Sequence, residues 1–221
     1  MKGQLSASLM CADLLNLESE LTRLQQLQVE YLHFDFMDGR FVPNITFGNA
    51  FIRAFRKAFP HYPVDIHIMA FEPQQYFDAM GIGKGDLVSV HFEACEDVHA
   101  VLADLRARGA RPLLAISPDT PVDVIVPYLD ELDGVLVMTV YPGDSGKPLA
   151  PHSMERLAAT RALLDATGRH LILEVDGCVS WVNAPKMRQA GTDLFVLGSS
   201  SVFEKGGVYE ETVPRFRQLI Q

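Results

Sequence analysis

The segment Leu32-His33-Phe34-Asp35-Phe36-Met37 and its echo Val64-Asp65-Ile66-His67-Ile68-Met69 decide how this chain is read. Polar and apolar residues alternate in both, and side chains along a β-strand repeat with period two. One face of each segment therefore carries His and Asp, while the other carries Leu, Phe, Val or Ile. The same alternation pairs Ser6 with Ser8 and Glu174 with Asp176. A strand in a buried parallel sheet should be apolar on both faces, and burying His beside Asp is costly unless both are satisfied. A lone histidine so placed is usually a core residue bonded to a carbonyl. Four strands repeating the pattern in one sense point instead to a shared polar centre, with donors that suit a divalent metal.

Apolar, strand-like runs recur outward from this pair, at 4–9, 31–36, 64–69, 87–92, 112–116, 134–140, 171–175 and 194–197. Helical spacing fills most of the intervals. Leu14, Leu17, Leu21, Leu24 and Leu27 form one apolar stripe, and Phe51, Phe55 and Ala58 form another that Pro60 and Pro63 end. Val98, Val101, Leu102 and Leu105 stop at Gly109, and Leu157, Leu163 and Leu164 stop at Gly168, both placed as helix C-caps. Strands alternating with helices predict a (β/α)₈ barrel, with a doubly wound α/β sheet as second choice. No linker or biased tract divides the chain, so residues 1–221 are read as a single domain. The polar positions fall at the strands' C-terminal ends, where barrel active sites are built. The fourth run adds Ser89, His91 and Glu93 on one face.

Composition limits the partners. A net charge of −9 over 221 residues, with no basic stripe, argues against nucleic acid. The longest uncharged stretch, Phe41 to Ile52, has 12 residues and contains Pro, Asn and Gly, whereas a membrane span needs about 20 apolar residues. Asp13, Glu18 and Glu20 interrupt any signal-peptide core. Cys11, Cys95 and Cys178 are scattered without CxxC spacing, which fits a reduced, cytoplasmic protein.

Three loops suit an anion. Asp176-Gly177-Cys178 follows the seventh run, Gly198-Ser199-Ser200-Ser201 the eighth, and Pro142-Gly143-Asp144-Ser145-Gly146-Lys147 the sixth. Loops after strands 7 and 8 of such barrels commonly hold phosphate on backbone N–H groups. Glycines allow close approach of the backbone. Met10, Met37, Met69 and Met138 sit at or just past strand ends, where they would form an apolar, polarizable lining. Asp65, one step deeper than His67, reads as a supporting partner rather than a ligand.

With these residues in view, the chain resembles the ribulose-phosphate 3-epimerase family. The similarity is carried by Leu32 to Gly48, Val64 to Met69, Val137 to Gly143 and Glu174 to Gly177, and it extends from about Ser6 to Phe203. The resemblance implies a TIM barrel of the ribulose-phosphate-binding type and an epimerase acting at C3 of a ketose phosphate. It implies one divalent metal ion (Zn²⁺, Mn²⁺, Fe²⁺ or Co²⁺) on His33, Asp35, His67 and Asp176, with Asp35 and Asp176 as the acid/base pair. Ser8 and His67 would border the sugar. Gly143, Asp144, Ser145, Gly146, Gly177, Cys178, Gly198 and Ser199 would surround its tail and phosphate. A homo-oligomer is expected.

The chain departs from the family's usual pattern at Tyr141 to Lys147 and at Cys178, where a glycine is usual, so these positions bear on sugar choice. Ser8 to Leu15 is similar to allulose-6-phosphate 3-epimerases, which leaves two substrates in view, ribulose 5-phosphate first. A decarboxylase on a similar barrel would need a Lys among the strand-end acids, and none is found there. A non-catalytic sugar-phosphate sensor would have no use for an acid/base pair.

Overall fold

In the computed structural model, which describes residues 2–144 and 146–221, eight parallel strands close into a barrel in sequence order. They are β1 (Gln4–Ser8), β2 (Tyr31–Met37), β3 (Val64–Met69), β4 (Leu87–His91), β5 (Arg111–Ile116), β6 (Gly134–Met138), β7 (Ile172–Asp176) and β8 (Leu194–Leu197). The helices outside are α1 (Leu17–Gln26), α2 (Asn49–Ala58), α3 (Gln74–Met80), α4 (Val98–Ala107), α5 (Ser153–Ala166), α6 (Ala184–Gln189) and α7 (Tyr209–Leu219). A 3₁₀ segment, Val122–Glu131, with Pro127 inside it, takes the place of an α-helix between β5 and β6. The barrel is the first of the two architectures expected, and the doubly wound sheet is excluded by the β1–β8 pairing.

Period two sorts each strand into two fates. Outward side chains such as Leu32, Phe34, Ile66, Ile68, Val88, Val90, Val135 and Val137 are buried beneath the helices in one large apolar cluster. Inward side chains form layers. Leu87, Leu113, Ile172 and Leu194 plug the N-terminal end. Above them the interior splits: β5 and β6 contribute Ala115, Leu136 and Met138, whereas β1 to β4 and β7 contribute buried Ser6, Ser8, His33, Asp35, Asp65, His67, Ser89, His91 and Glu174. Parallel pairing sets Asp35 beside His67 and His33 beside Asp65 across β2 and β3. Register alone therefore crosses the two His/Asp pairs.

The structure corrects several boundaries. The first helix begins at Leu17, not Leu14, because the Asp13 carboxylate accepts from Leu15 N–H (3.1 Å) and Asn16 Nδ2 (2.7 Å), turning the chain first. Leu14 and Leu15 are left exposed. β4 stops at His91, so Glu93 stands on a following 3₁₀ turn and not on the strand face. The run expected to reach residue 140 ends at Met138, and both the Thr139 N–H and its hydroxyl donate to the Asp176 carbonyl. The segment from 171 is shifted to Ile172–Asp176, which puts Asp176 inside β7. Gly109 and Gly168 lie just past Arg108 and Thr167, the residues that close α4 and α5, and both glycines have left-handed φ.

Gly134 marks the tightest contact in the plug. A Cβ there would stand 2.5 Å from the Ile172 carbonyl oxygen. Overpacking of this kind costs about 1–3 kcal/mol. Gly134→Ala should lower the unfolding free energy by that amount in urea denaturation, and an unchanged midpoint would contradict the packing.

Candidate active site

β2 and β3 set Asp35 beside His67, with His33 one inward position deeper on β2, and β7 supplies a second carboxylate from beyond β1 and β8. One donor atom from each of His33, Asp35, His67 and Asp176 lies within 4.8 Å of the others. His33 Nε2 is 3.2 Å from Asp35 Oδ1, yet it is buried with no hydrogen bond of acceptable geometry. His67 Nδ1 is 3.3 Å from Asp35 Oδ1 and 3.6 Å from Asp176 Oδ2. An orphaned imidazole nitrogen facing two carboxylates fits a cation better than it fits a bare protein network.

Support comes from below and beside. The His33 Nδ1 side lies 2.7 Å from Asp65 Oδ2, which also accepts from Ser6 Oγ at 2.6 Å. Asp65 thus fixes the ring so that Nε2 faces the site. Glu174, wholly buried, abuts the same network, with Oε1 3.6 Å from His33 Nδ1. Burial and then the Asp65 charge push its carboxyl well above the usual range. Ser8 Oγ donates to Asp35 Oδ2 at 2.8 Å. Burial would raise Asp35, but the His33 and His67 imidazoles outweigh it and hold the carboxylate ionised. Burial likewise disfavours charge on His33 and His67, and the surrounding acids overcome it, raising both.

Beside His67 stands His91, with its Nε2 2.9 Å from His67 Nε2. His91 Nδ1 is 3.0 Å from Glu93 Oε2, and Glu93 Oε1 accepts from Ser117 N–H at 2.8 Å and from the Thr120 hydroxyl. Burial, joined by neighbouring His67, brings His91 down to about 4. Glu93 is raised by burial but lowered more by its bonds to His91, Thr120 and Ser117, settling at about 2.

An open cleft at the strands' C-terminal ends is floored by Asp35 and Asp176. Ser8, Gly143, Asp144, Gly146, Gly177, Cys178, Gly198 and Ser199 line it, as do all of Met10, Met37, Met69 and Met138. Every expected position among the described residues reaches this cleft except His33 and His67, which are wholly buried under its floor. Ser145 lies outside the described residues. No lysine lines the cleft among the described residues. Cys178 takes a left-handed φ of 48°, a conformation a glycine adopts without strain.

The loop after β2 adds two supporting residues, Thr46 and Asn44, to those that strand periodicity marks. Thr46 Oγ1 accepts from Met37 N–H at 3.0 Å and donates to the Asp35 carbonyl, clamping the end of the strand. Asn44 Nδ2 donates to the Gly143 carbonyl at 3.0 Å, tying this loop to the one after β6. Neither contact leaves a periodic signal. The His91–Glu93 arm was visible as a polar pair, but nothing in a strand pattern says that it meets His67.

Fold and cleft together define a (β/α)₈ enzyme with an acidic, histidine-backed centre. Comparison with known proteins makes this specific. The model of the ribulose-phosphate 3 epimerase family matches residues 4–203. The chain is 35% identical to the ribulose-phosphate 3-epimerase of Bacillus subtilis, over 89% of its own length and 91% of that protein's. It is 36% identical to that of Rhodobacter capsulatus, over 93% and 88%. Solved structures of similar shape include KGPDC from Streptococcus mutans, with TM-score 0.68 and 13% identity, covering 100% of this chain and 98% of that one. The 3-hexulose-6-phosphate synthase of Salmonella typhimurium gives TM-score 0.60 at 18% identity, covering 98% of each chain. At such identities the likeness concerns the fold alone. The chain belongs to the ribulose-phosphate 3-epimerase family and is an epimerase, hence an isomerase. Among the described residues, no helix is long and apolar enough to cross a membrane.

The Glu93 shift has a thermodynamic consequence. A carboxyl lowered in the folded state adds stability that is present above its ordinary value near 4.5 and is lost as pH falls toward 2. Metal-stripped Glu93→Gln should therefore lose less unfolding free energy than wild type between pH 5 and pH 3, by denaturant titration. Parallel losses would contradict the assignment.

Proposed function

We propose that the enzyme is a divalent-metal-dependent ketose-phosphate 3-epimerase that interconverts D-ribulose 5-phosphate and D-xylulose 5-phosphate. The observation that carries the reading is the pair Asp35 and Asp176 on the cleft floor, brought from β2 and β7 and backed by two buried imidazoles. Relatives that share a third of their residues with this chain bear the name ribulose-phosphate 3-epimerase.

His33, through the orphaned Nε2, His67, through Nδ1, and the two aspartates would hold the cation; Zn²⁺, Mn²⁺, Fe²⁺ and Co²⁺ all suit this donor set. When bound, the cation supplies electrophilic stabilisation of the negative charge that develops on the sugar's oxygens. The rest belongs to the side chains. One aspartate takes the C3 proton, and the C–H electron pair moves into the C2–C3 bond while the carbonyl oxygen becomes an oxyanion. The other, protonated beforehand, returns a proton to the opposite face of C3. Epimerisation in the reverse direction exchanges the two roles. Ser8, bonded to Asp35 Oδ2, fixes the orientation of that carboxylate. The four methionines keep the reacting carbon away from water, which strengthens each electrostatic contact. The loops that carry Gly143 and Gly146, Gly177 and Cys178, and Gly198 and Ser199 line the cleft and would offer backbone amides to the phosphate. Continuity of the family match over 4–203 supports one domain, and the family resemblance a homo-oligomer in a reducing, cytoplasmic setting.

A second substrate, D-allulose 6-phosphate giving D-fructose 6-phosphate, is favoured by the likeness of the segment Ser8 to Leu15 to allulose-6-phosphate 3-epimerases. Deuterium exchange at C3 with each sugar phosphate decides between them. The main reading expects faster exchange with ribulose 5-phosphate; faster exchange with allulose 6-phosphate transfers the assignment, and exchange with neither overturns both.

Two further outcomes test the chemistry. Chelated, metal-free enzyme should lose turnover and recover it on addition of Zn²⁺, Mn²⁺, Fe²⁺ or Co²⁺, whereas full activity without metal would refute the cofactor. Asp176→Asn should reduce kcat by at least about 10²-fold while leaving the circular dichroism unchanged; near-normal turnover would remove Asp176 from the acid/base pair.

A further inference from the structure

The contacts of His67 extend away from the cleft along a line of groups that the acid/base chemistry does not use. Glu93 Oε1 is committed twice, to the Ser117 backbone N–H and the Thr120 hydroxyl. A backbone N–H can only donate, so this oxygen must accept. The second oxygen, Oε2, faces His91 Nδ1 at 3.0 Å; the Ser117 hydroxyl, at 3.5 Å, is the longer contact of that nitrogen. His91 and His67 then meet Nε2 to Nε2 at 2.9 Å. Two imidazole nitrogens at that distance share one proton, so one must donate and the other accept. His91 is wholly buried, and the Phe41 ring packs against it with centroids 4.8 Å apart, which bars water as a substitute partner.

We propose that Glu93, acting through His91, is a positioning residue that fixes the tautomer of His67 and so keeps the Nδ1 lone pair turned to the metal site. This rests on the metal reading given above. Glu93 accepts the proton of His91 Nδ1, which leaves His91 Nε2 as a bare acceptor. His91 Nε2 in turn draws the His67 proton to Nε2. Without this pull, Asp35 and Asp176, at 3.3 and 3.6 Å, would draw the proton to His67 Nδ1 and block the ligand position. The relay opposes two carboxylates with a third, placed on the far side of the ring.

Glu93→Gln inverts the relay without emptying the space. Its carbonyl must take the Oε1 position, where Ser117 N–H donates, so its NH₂ faces His91 Nδ1. His91 must then accept at Nδ1 and carry its proton on Nε2, and His67 is left with its proton on Nδ1. Loss of such outer partners typically weakens metal binding by about 10–100-fold. Apo enzyme is titrated with Co²⁺ by calorimetry, and metal-free protein labelled with ¹⁵N-histidine is read by NMR, with His91→Phe identifying the His91 signals. The expected result is a Co²⁺ affinity about 10–100-fold lower in Glu93→Gln, with the His91 proton moved from Nδ1 to Nε2. Affinity within threefold of wild type would overturn the proposal, as would a fall in affinity with the His91 proton unmoved. Should Glu93→Gln lose its fold by circular dichroism, His91→Phe decides: weaker Co²⁺ binding supports the relay and unchanged binding overturns it. Wild-type protein that fails to bind Co²⁺ would remove the metal reading and the relay with it, whereas wild-type binding with an unaffected Gln variant removes the relay alone.

Discussion

Polar groups inside a closed barrel cannot turn to water, so each must find its partner among the strands. Here that constraint is met by crossing two His/Asp pairs. Asp65 takes the Nδ1 side of His33, and Asp35 lies between the Nε2 of His33 and the Nδ1 of His67. Among the atoms left without a hydrogen bond in this layer, with Asp65 Oδ1, Ser89 Oγ and the Glu174 oxygens, is His33 Nε2, the one that belongs to the cluster of donors below the cleft. The functional centre is the part of the buried network that the protein leaves incomplete.

The division of the barrel interior follows from this. Apolar side chains of β5 and β6 close one half, while β1 to β4 and β7 carry the polar layer. Low polarity on one side strengthens every electrostatic contact on the other, because less water and fewer dipoles screen it. The two deepest acids are pushed apart: burial and the Asp65 charge raise the Glu174 carboxyl, while Asp65, although burial opposes it, is lowered by His33 beside it. The Glu93–His91 arm performs the corresponding service for His67, on the other side of the site. The two imidazoles are thus each backed by an acid, one directly and one through a second ring.

Much of this was legible in the chain. Period two at residues 32–37 and 64–69 gives the inward face of β2 and β3 residue by residue, and the alternation of strand-like runs with helical intervals gives the barrel. Helix starts were less legible, as Leu14 shows: its apolar stripe continues a helix that the Asp13 carboxylate has not yet allowed to begin. Glu93 kept the alternation of a strand while standing on a turn two residues past the strand end, a stretch too short for its own periodicity to show. Contacts between distant loops, such as Asn44 with Gly143, depend on closure of the barrel and leave no local mark.

The central claim is that a cation occupies the space bounded by His33 Nε2, His67 Nδ1, Asp35 and Asp176. Anomalous diffraction from crystals of the Co²⁺-loaded enzyme tests it most directly. The account predicts one strong peak bonded to those four side chains. A peak displaced to the deeper cluster of His33, Asp65 and Glu174, or no peak in the barrel at all, would contradict it.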